Sequence, residues 1–216
     1  SGVLDLAAGG AILLDTSGEF GSGSGDVRLS AGTNIYLGAL IETTGAISLT
    51  AVSGSILESA NVVPVAPTRH PMLAVNTTAV DLRASALRLV AGNGVGVLGA
   101  QADPIETAVS TVSARVGAGG LNLAESDALL VGSVLVQSRR VGIDGVSADN
   151  SDPLQSDLVS SDSGSLVVRT FGGDLIVVDG TAPLDGTGVV ASGSGNILLE
   201  AVGAGTSVSL IADVES

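Results

Sequence analysis

Apolar and polar residues alternate in short bursts along almost the whole chain, and the bursts resemble one another. A small turn residue is followed by apolar–x–apolar–x–Ala, as in GVLDLAA (2–8), GDVRLSA (25–31), TNIYLGA (33–39), GAISLTA (45–51) and AVDLRAS (79–85). The phrase returns as SALRLVA (85–91), GGLNLAE (119–125), GSLVVRT (164–170), GNILLEA (195–201) and TSVSLIA (206–212). A period of two is that of a strand, whose side chains point alternately to opposite faces. It sends Val27, Leu29 and Ala31 to one face and Asp26, Arg28 and Ser30 to the other. The same rule turns Ile47, Leu49 and Ala51 inward, then Leu87, Leu89 and Ala91, then Ile197, Leu199 and Ala201. No stretch longer than a turn carries a helical i, i+3, i+4, i+7 pattern. The chain reads as all-β.

Repetition decides which all-β architecture to expect. Strands of a β-sandwich or barrel need no mutual likeness, whereas stacked coils place like residues on like. The expectation is a single elongated β-solenoid over residues 1–216, with a β-sandwich as the alternative. Taking about 20–25 residues per coil and roughly 4.8 Å between stacked strands gives ~9–10 coils and a rod on the order of 45 Å long.

Glycine runs such as GSGSG (21–25), GAGG (117–120) and SGSG (192–195) fall between the phrases and read as turns with positive φ. Three segments break the rhythm: 58–72, 99–107 and 144–163. Each contains Pro, which cannot donate into a central ladder, so they read as loops leaving the rod.

Composition sharpens this picture. Aromatic residues are only 1% of the chain (Phe20, Tyr36 and Phe171), so the core must be aliphatic, and Trp plugs of the kind found in sandwiches are missing. Cysteine is absent, which removes disulfides, thiolate metal sites and thiol catalysis. Net charge is −14, with 8 Arg and no Lys, which disfavours nucleic acid and anionic membranes as partners. No apolar run is long enough to span a bilayer. Residues Ser1–Asp5 lack a basic n-region and an apolar h-region, as expected of a mature or internal segment.

A family likeness is carried by residues 54–136. The strings GSILE (54–58), AVDLRASALRLVAGNGVG (79–96), PIETAVSTVSA (104–114) and GGLNLAESDALLVGSV (119–134) resemble the repeats of filamentous-haemagglutinin-type giant bacterial surface proteins. The AGNGVG turn and the PIET that follows it are the most telling pieces. The resemblance implies a right-handed parallel β-helix and a non-enzymatic structural or adhesive role at the cell surface or in the extracellular matrix. It also implies neighbouring copies or flanking repeats as partners, with filaments as one outcome and host or surface glycans as another.

Candidate chemistry is sparse. His70, between two prolines in PTRHP, is the sole imidazole and reads as a loop bystander, so no catalytic residues are expected. No cofactor is expected. Calcium is the one ligand worth weighing, because Asp144, Asp149, Asp152, Asp157 and Asp162 crowd together with Asn150, although their spacing matches no calcium-loop motif. Late strands turn apolar on both faces, which sets Ile176, Val178, Leu198 and Ile211 apart as an interface between rods, or as a surface covered by the 144–163 loop. The alternative function is a calcium- or glycan-binding module displayed on the solenoid through loops 58–72 and 144–163.

Overall fold

The structure is a computed structural model that describes residues 2–15, 20–59 and 79–216. The first coil holds β1 (Leu4–Ala8), β2 (Ile12–Leu13) and β3 (Phe20–Gly23); the second holds β4 (Val27–Ala31), β5 (Ile35–Leu37) and β6 (Ile41–Thr43). The third runs through β7 (Ala46–Ala51) and β8 (Ile56–Glu58) into β9 (Leu82–Ala91), whose later half opens the fourth. That coil passes through β10 (Gly94–Val95) into β11 (Ile105–Val116), and the end of β11 opens the fifth. Here follow β12 (Gly120–Glu125) and β13 (Leu129–Val131), then an excursion carrying β14 (Arg139–Val141) and β15 (Ser147–Asp149). The sixth coil is β16 (Leu158–Ser160), β17 (Leu166–Thr170) and β18 (Leu175–Val177). The seventh is β19 (Thr187–Ala191), β20 (Ile197–Ala201) and β21 (Val208–Leu210), before β22 (Asp213–Glu215) starts another.

Coil stacks on coil with every ladder of the large sheet parallel, and β14–β15 is the one antiparallel strand pair among the described residues. The fold is an all-β parallel solenoid, and a sandwich does not form. No helix among the described residues is long and apolar enough to cross a membrane.

Register explains why the repeated phrase is aliphatic. One inward column runs Leu6–Leu29–Leu49–Leu89–Ala114–Leu158–Val189–Val214. A second runs Ile12–Ile35–Ile56–Val95–Leu121–Leu166–Ile197. Their middle members are almost completely buried. Stacking like on like fills the shaft without aromatic rings, at about 1.5–3 kcal/mol for each large aliphatic side chain taken from water.

Corner glycines have a different cause from the one expected. Only some have positive φ. Others are required because coils touch there: a Cβ on Gly117 would lie 2.2 Å from the Gly92 carbonyl oxygen, and one on Gly164 2.2 Å from that of Gly117. Backbone passes directly over backbone, leaving no room for a side chain.

Two expectations need correction. The coils are fewer than nine, about 35 Å of stacked strand at the usual spacing: residues 132–157 separate the fifth coil from the sixth instead of forming coils, and residues 60–78, between β8 and β9 of the third, lie outside the described residues. The loop segments are also shorter than they read. Residues 105–107 belong to β11, and 147–149 and 158–160 are strands. Of 58–72, Glu58 closes β8 and Ser59 follows it, while 60–72 lies outside the described residues.

The excursion is a strap rather than a free loop. Outgoing residues bury Val134 and Val136 against Ala46 and Ala86 on the outside of β7 and β9. Returning residues cover the outward column Asp5–Arg28–Ser48–Arg88–Ser113. Asn150 Nδ2 donates to Asp5 Oδ2 at 2.9 Å, and Asp152 pairs with Arg28 at 3.1 Å and Arg88 at 3.8 Å. Gln155 Nε2 donates to the Leu89 carbonyl and to Ser113 Oγ. The strap therefore crosses five stacked strands.

Candidate functional site

A groove of about 880 Å³ lies on the outer side of β12, β17 and β20. Alternation presents Asn122 and Ala124, Val167 and Arg169, and Leu198 and Glu200 as its floor, in register from coil to coil. Its wall is the segment that leaves the rod at Gly96 (φ 65°) and returns at Ile105, with Leu98 and Pro104 facing the groove. Asn122 Nδ2 holds that wall by donating to the Val97 carbonyl at 2.6 Å. Across the floor Arg169 Nε donates to Glu200 Oε2 at 2.6 Å, and its guanidinium sits 5.0 Å from the centre of the Phe171 ring. An aliphatic floor with one ring, one guanidinium and one carboxylate can hold an amphipathic ligand by stacking and by directed hydrogen bonds.

Beside the groove lies a cluster of three carboxylates. Glu58 ends β8 at a core-facing position, in register over Leu37, and is 3% exposed. Asp81, 5% exposed, precedes β9 and accepts from the Glu106 amide at 3.1 Å. Glu106 is half-buried on β11 and lines the groove. One oxygen from each lies within 4.8 Å of the others. Burial pushes the Glu58 carboxyl up to about 10, helped by a shared hydrogen bond with Glu106 and by the charges of Asp81, Asp103 and Glu106. Asp81 is pushed up to about 8, chiefly by burial, with the Glu106 charge adding to it. Three acids at this distance, two of them buried, repel one another unless a proton or a cation intervenes.

Glu125, one coil further on, shows what a satisfied carboxylate looks like in the same fold. It is fully buried, yet its Oε2 accepts from Thr107 Oγ1 at 2.7 Å and the Val109 amide at 3.0 Å, while Oε1 accepts from the Asp127 amide at 3.0 Å. No N–H or hydroxyl donates to Glu58 Oε1 or Glu106 Oε2, both of which are buried.

The residues singled out from sequence are dispersed. Val178 and Ile211 are stacked neighbours, since the Ile211 amide donates to the Val177 carbonyl, and Ile176 is two residues away on β18. Leu198 stands apart, on the groove floor. The strap covers β1 to β11 on another side, so it does not shield these residues.

The aspartates weighed for calcium do not converge. Asp144 and Asp149 are exposed around the strap hairpin, and Asp162 is exposed at a turn with φ 57°. Asp152 is taken by two arginines. Asp157, buried and pushed up chiefly by that burial, accepts from Ser156 Oγ and the Gly180 amide. His70 lies outside the described residues. Sequence reasoning missed the Glu58 cluster, although one signal was present: in GSILE a charged residue occupies the inward position that Leu37 fills one coil earlier.

No family model matches the chain, and neither the curated proteins nor the solved structures yield a match.

Proposed function

We propose that the chain is a non-enzymatic structural and adhesive segment of a large bacterial cell-surface or extracellular-matrix protein. The observation that carries this reading is the unbroken stacking of like aliphatic residues through successive parallel coils. Such a shaft is extended by adding coils, from flanking repeats or from neighbouring copies, because each new coil meets columns of its own kind. The inward residues Val208 and Leu210 of β21, 39% and 55% exposed, are what a further coil would cover. The likeness of residues 54–136 to filamentous-haemagglutinin-type repeats supports the same role and an extracellular location. Negative-stain microscopy and sedimentation should show rods that lengthen with concentration, and Leu210→Ser should shorten them. Globular monomers at all concentrations, or turnover of a polysaccharide, would overturn the reading.

A second reading, glycan binding, is favoured by the Arg169–Phe171–Glu200 arrangement in the groove. A glycan array probed with the wild type and with Phe171→Ala tests it. The expected result is a set of saccharides retained by the first protein and lost by the second.

A further inference from the structure

We propose that Glu58, Asp81 and Glu106 form a binding site for a hard divalent cation, with calcium preferred, that ties the third coil to the fourth beside the groove. Spacing is the first argument. Oxygens on one calcium ion lie about 2.3–2.6 Å from it, so two of them are at most roughly 5 Å apart. One oxygen from each of the three carboxylates falls within 4.8 Å of the others. Magnesium demands near-ideal octahedral geometry and holds its waters more firmly, so an all-carboxylate set suits the larger ion.

The second argument is independent of the clustering. Glu58 is 3% exposed, and no N–H or hydroxyl donates to its buried Oε1; the side chain within hydrogen-bonding reach is the Glu106 carboxyl, an acceptor like itself unless a proton lies between them. Glu106 Oε2 is in the same condition. A buried acceptor left unmatched costs about 1–3 kcal/mol, more when charged, and Glu125 shows that this fold satisfies a buried carboxylate where no ligand is needed. The groups acting on Glu58 through their charge are Asp81, Asp103 and Glu106, all acidic. A cation supplies a partner to Glu58 Oε1 and Glu106 Oε2 at once.

Donor chemistry and access complete the argument. All three donors are carboxylate oxygens, which select hard ions over zinc or copper. One oxygen from each supplies three ligands, and waters would complete the 6–8 that calcium takes. Glu106 faces the groove, so the ion has a route in and waters can complete its shell. Glu58 closes β8 and Asp81 immediately precedes β9, so the ion would fasten the end of one strand to the start of the next.

Thermal unfolding and isothermal calorimetry with calcium chloride test this on the full chain. The melting temperature should be higher in millimolar calcium than in EDTA and rise with the logarithm of calcium concentration, as for any ligand of the native state. Magnesium should give a smaller shift. Glu58→Gln keeps shape while removing charge, so calcium affinity should fall at least tenfold while the melting temperature in EDTA stays at or above that of the wild type. Glu106→Gln, at a half-exposed position, serves the same test should Glu58→Gln fail to fold. Asp144→Asn, on the exposed strap, should leave the response intact. Equal melting temperatures in EDTA and calcium, or an undiminished calcium response in the folded Glu58→Gln or Glu106→Gln variant, would overturn the site.

Discussion

Arg28 and Asp152, 124 residues apart in the chain, meet at 3.1 Å beneath the strap. Both side chains are largely buried, and Asp152 also faces Arg88 at 3.8 Å. Removing Asp152 strands the buried Arg88 away from water, while Arg28 keeps Asp5 at 3.2 Å. Asp152→Ala should therefore destabilise the protein by about 3–5 kcal/mol, read by denaturant unfolding. Arg88→Met in the Asp152→Ala background should recover much of that loss, because Arg28 still pairs with Asp5 and no charge is left unmatched. A double-mutant cycle showing simple additivity would contradict the linkage.

The strap should loosen in acid. Burial alone would raise the Asp5 carboxyl, but hydrogen bonds from Arg140 and Arg28, the Arg140 charge and the Asn150 amide hold it below its ordinary 3.8. A depressed pKa contributes stability that is present above about 3.8 and lost as pH falls through the folded value. Amide exchange of residues 139–151 should accelerate below that pH in the wild type. Asp5→Asn should exchange fast at neutral pH and show no acid step.

At the carboxylate cluster the sign is reversed. The folded pKa values of Glu58 and Asp81 are raised, to about 10 and about 8, from 4.5 and 3.8. Their stabilising effect is complete below the unfolded values and is lost as pH climbs through the folded ones. In EDTA the melting temperature should fall between about pH 4.5 and 10, and Glu58→Gln should flatten that fall. A wild-type profile that is level over this range would show that the acids do not share a proton.

Gly117→Ala tests the stacked corners. Its Cβ would meet the Gly92 carbonyl oxygen at 2.2 Å, so two coils must part, at a cost of about 1–3 kcal/mol or more. Gly9→Ala, with nothing within 4 Å and no positive φ, should cost far less. Chemical denaturation of the pair gives the comparison.

Much of the fold was legible because alternation is a local property. Leu29, Ile47 and Leu87 could be assigned inward from their neighbours alone, and their stacking followed from the likeness between phrases. What escaped was decided at long range. Asp152 reads as one more acid in an acidic loop until Arg28 and Arg88 are brought beneath it from earlier coils. The extent of β9 and β11 was hidden because each passes from one coil into the next without a break, so phrases that looked separate are one strand. Glu58 carried a local clue in its inward position, but the convergence of Asp81 and Glu106 depends on how the chain returns after its insertion.

In a simple solenoid each coil speaks only to its neighbours, so the shaft can unravel from either end. The strap changes that arrangement. By lying across β1 to β11 it makes the outer surface of the earliest coils a joint product of residues 5–28 and 150–155. A polypeptide emerging from its amino end can wind those coils early, but that side stays unsealed until residue 155 has followed. The first half of the rod should thus melt as one block, while the coils beyond β16 retain the freedom to fray.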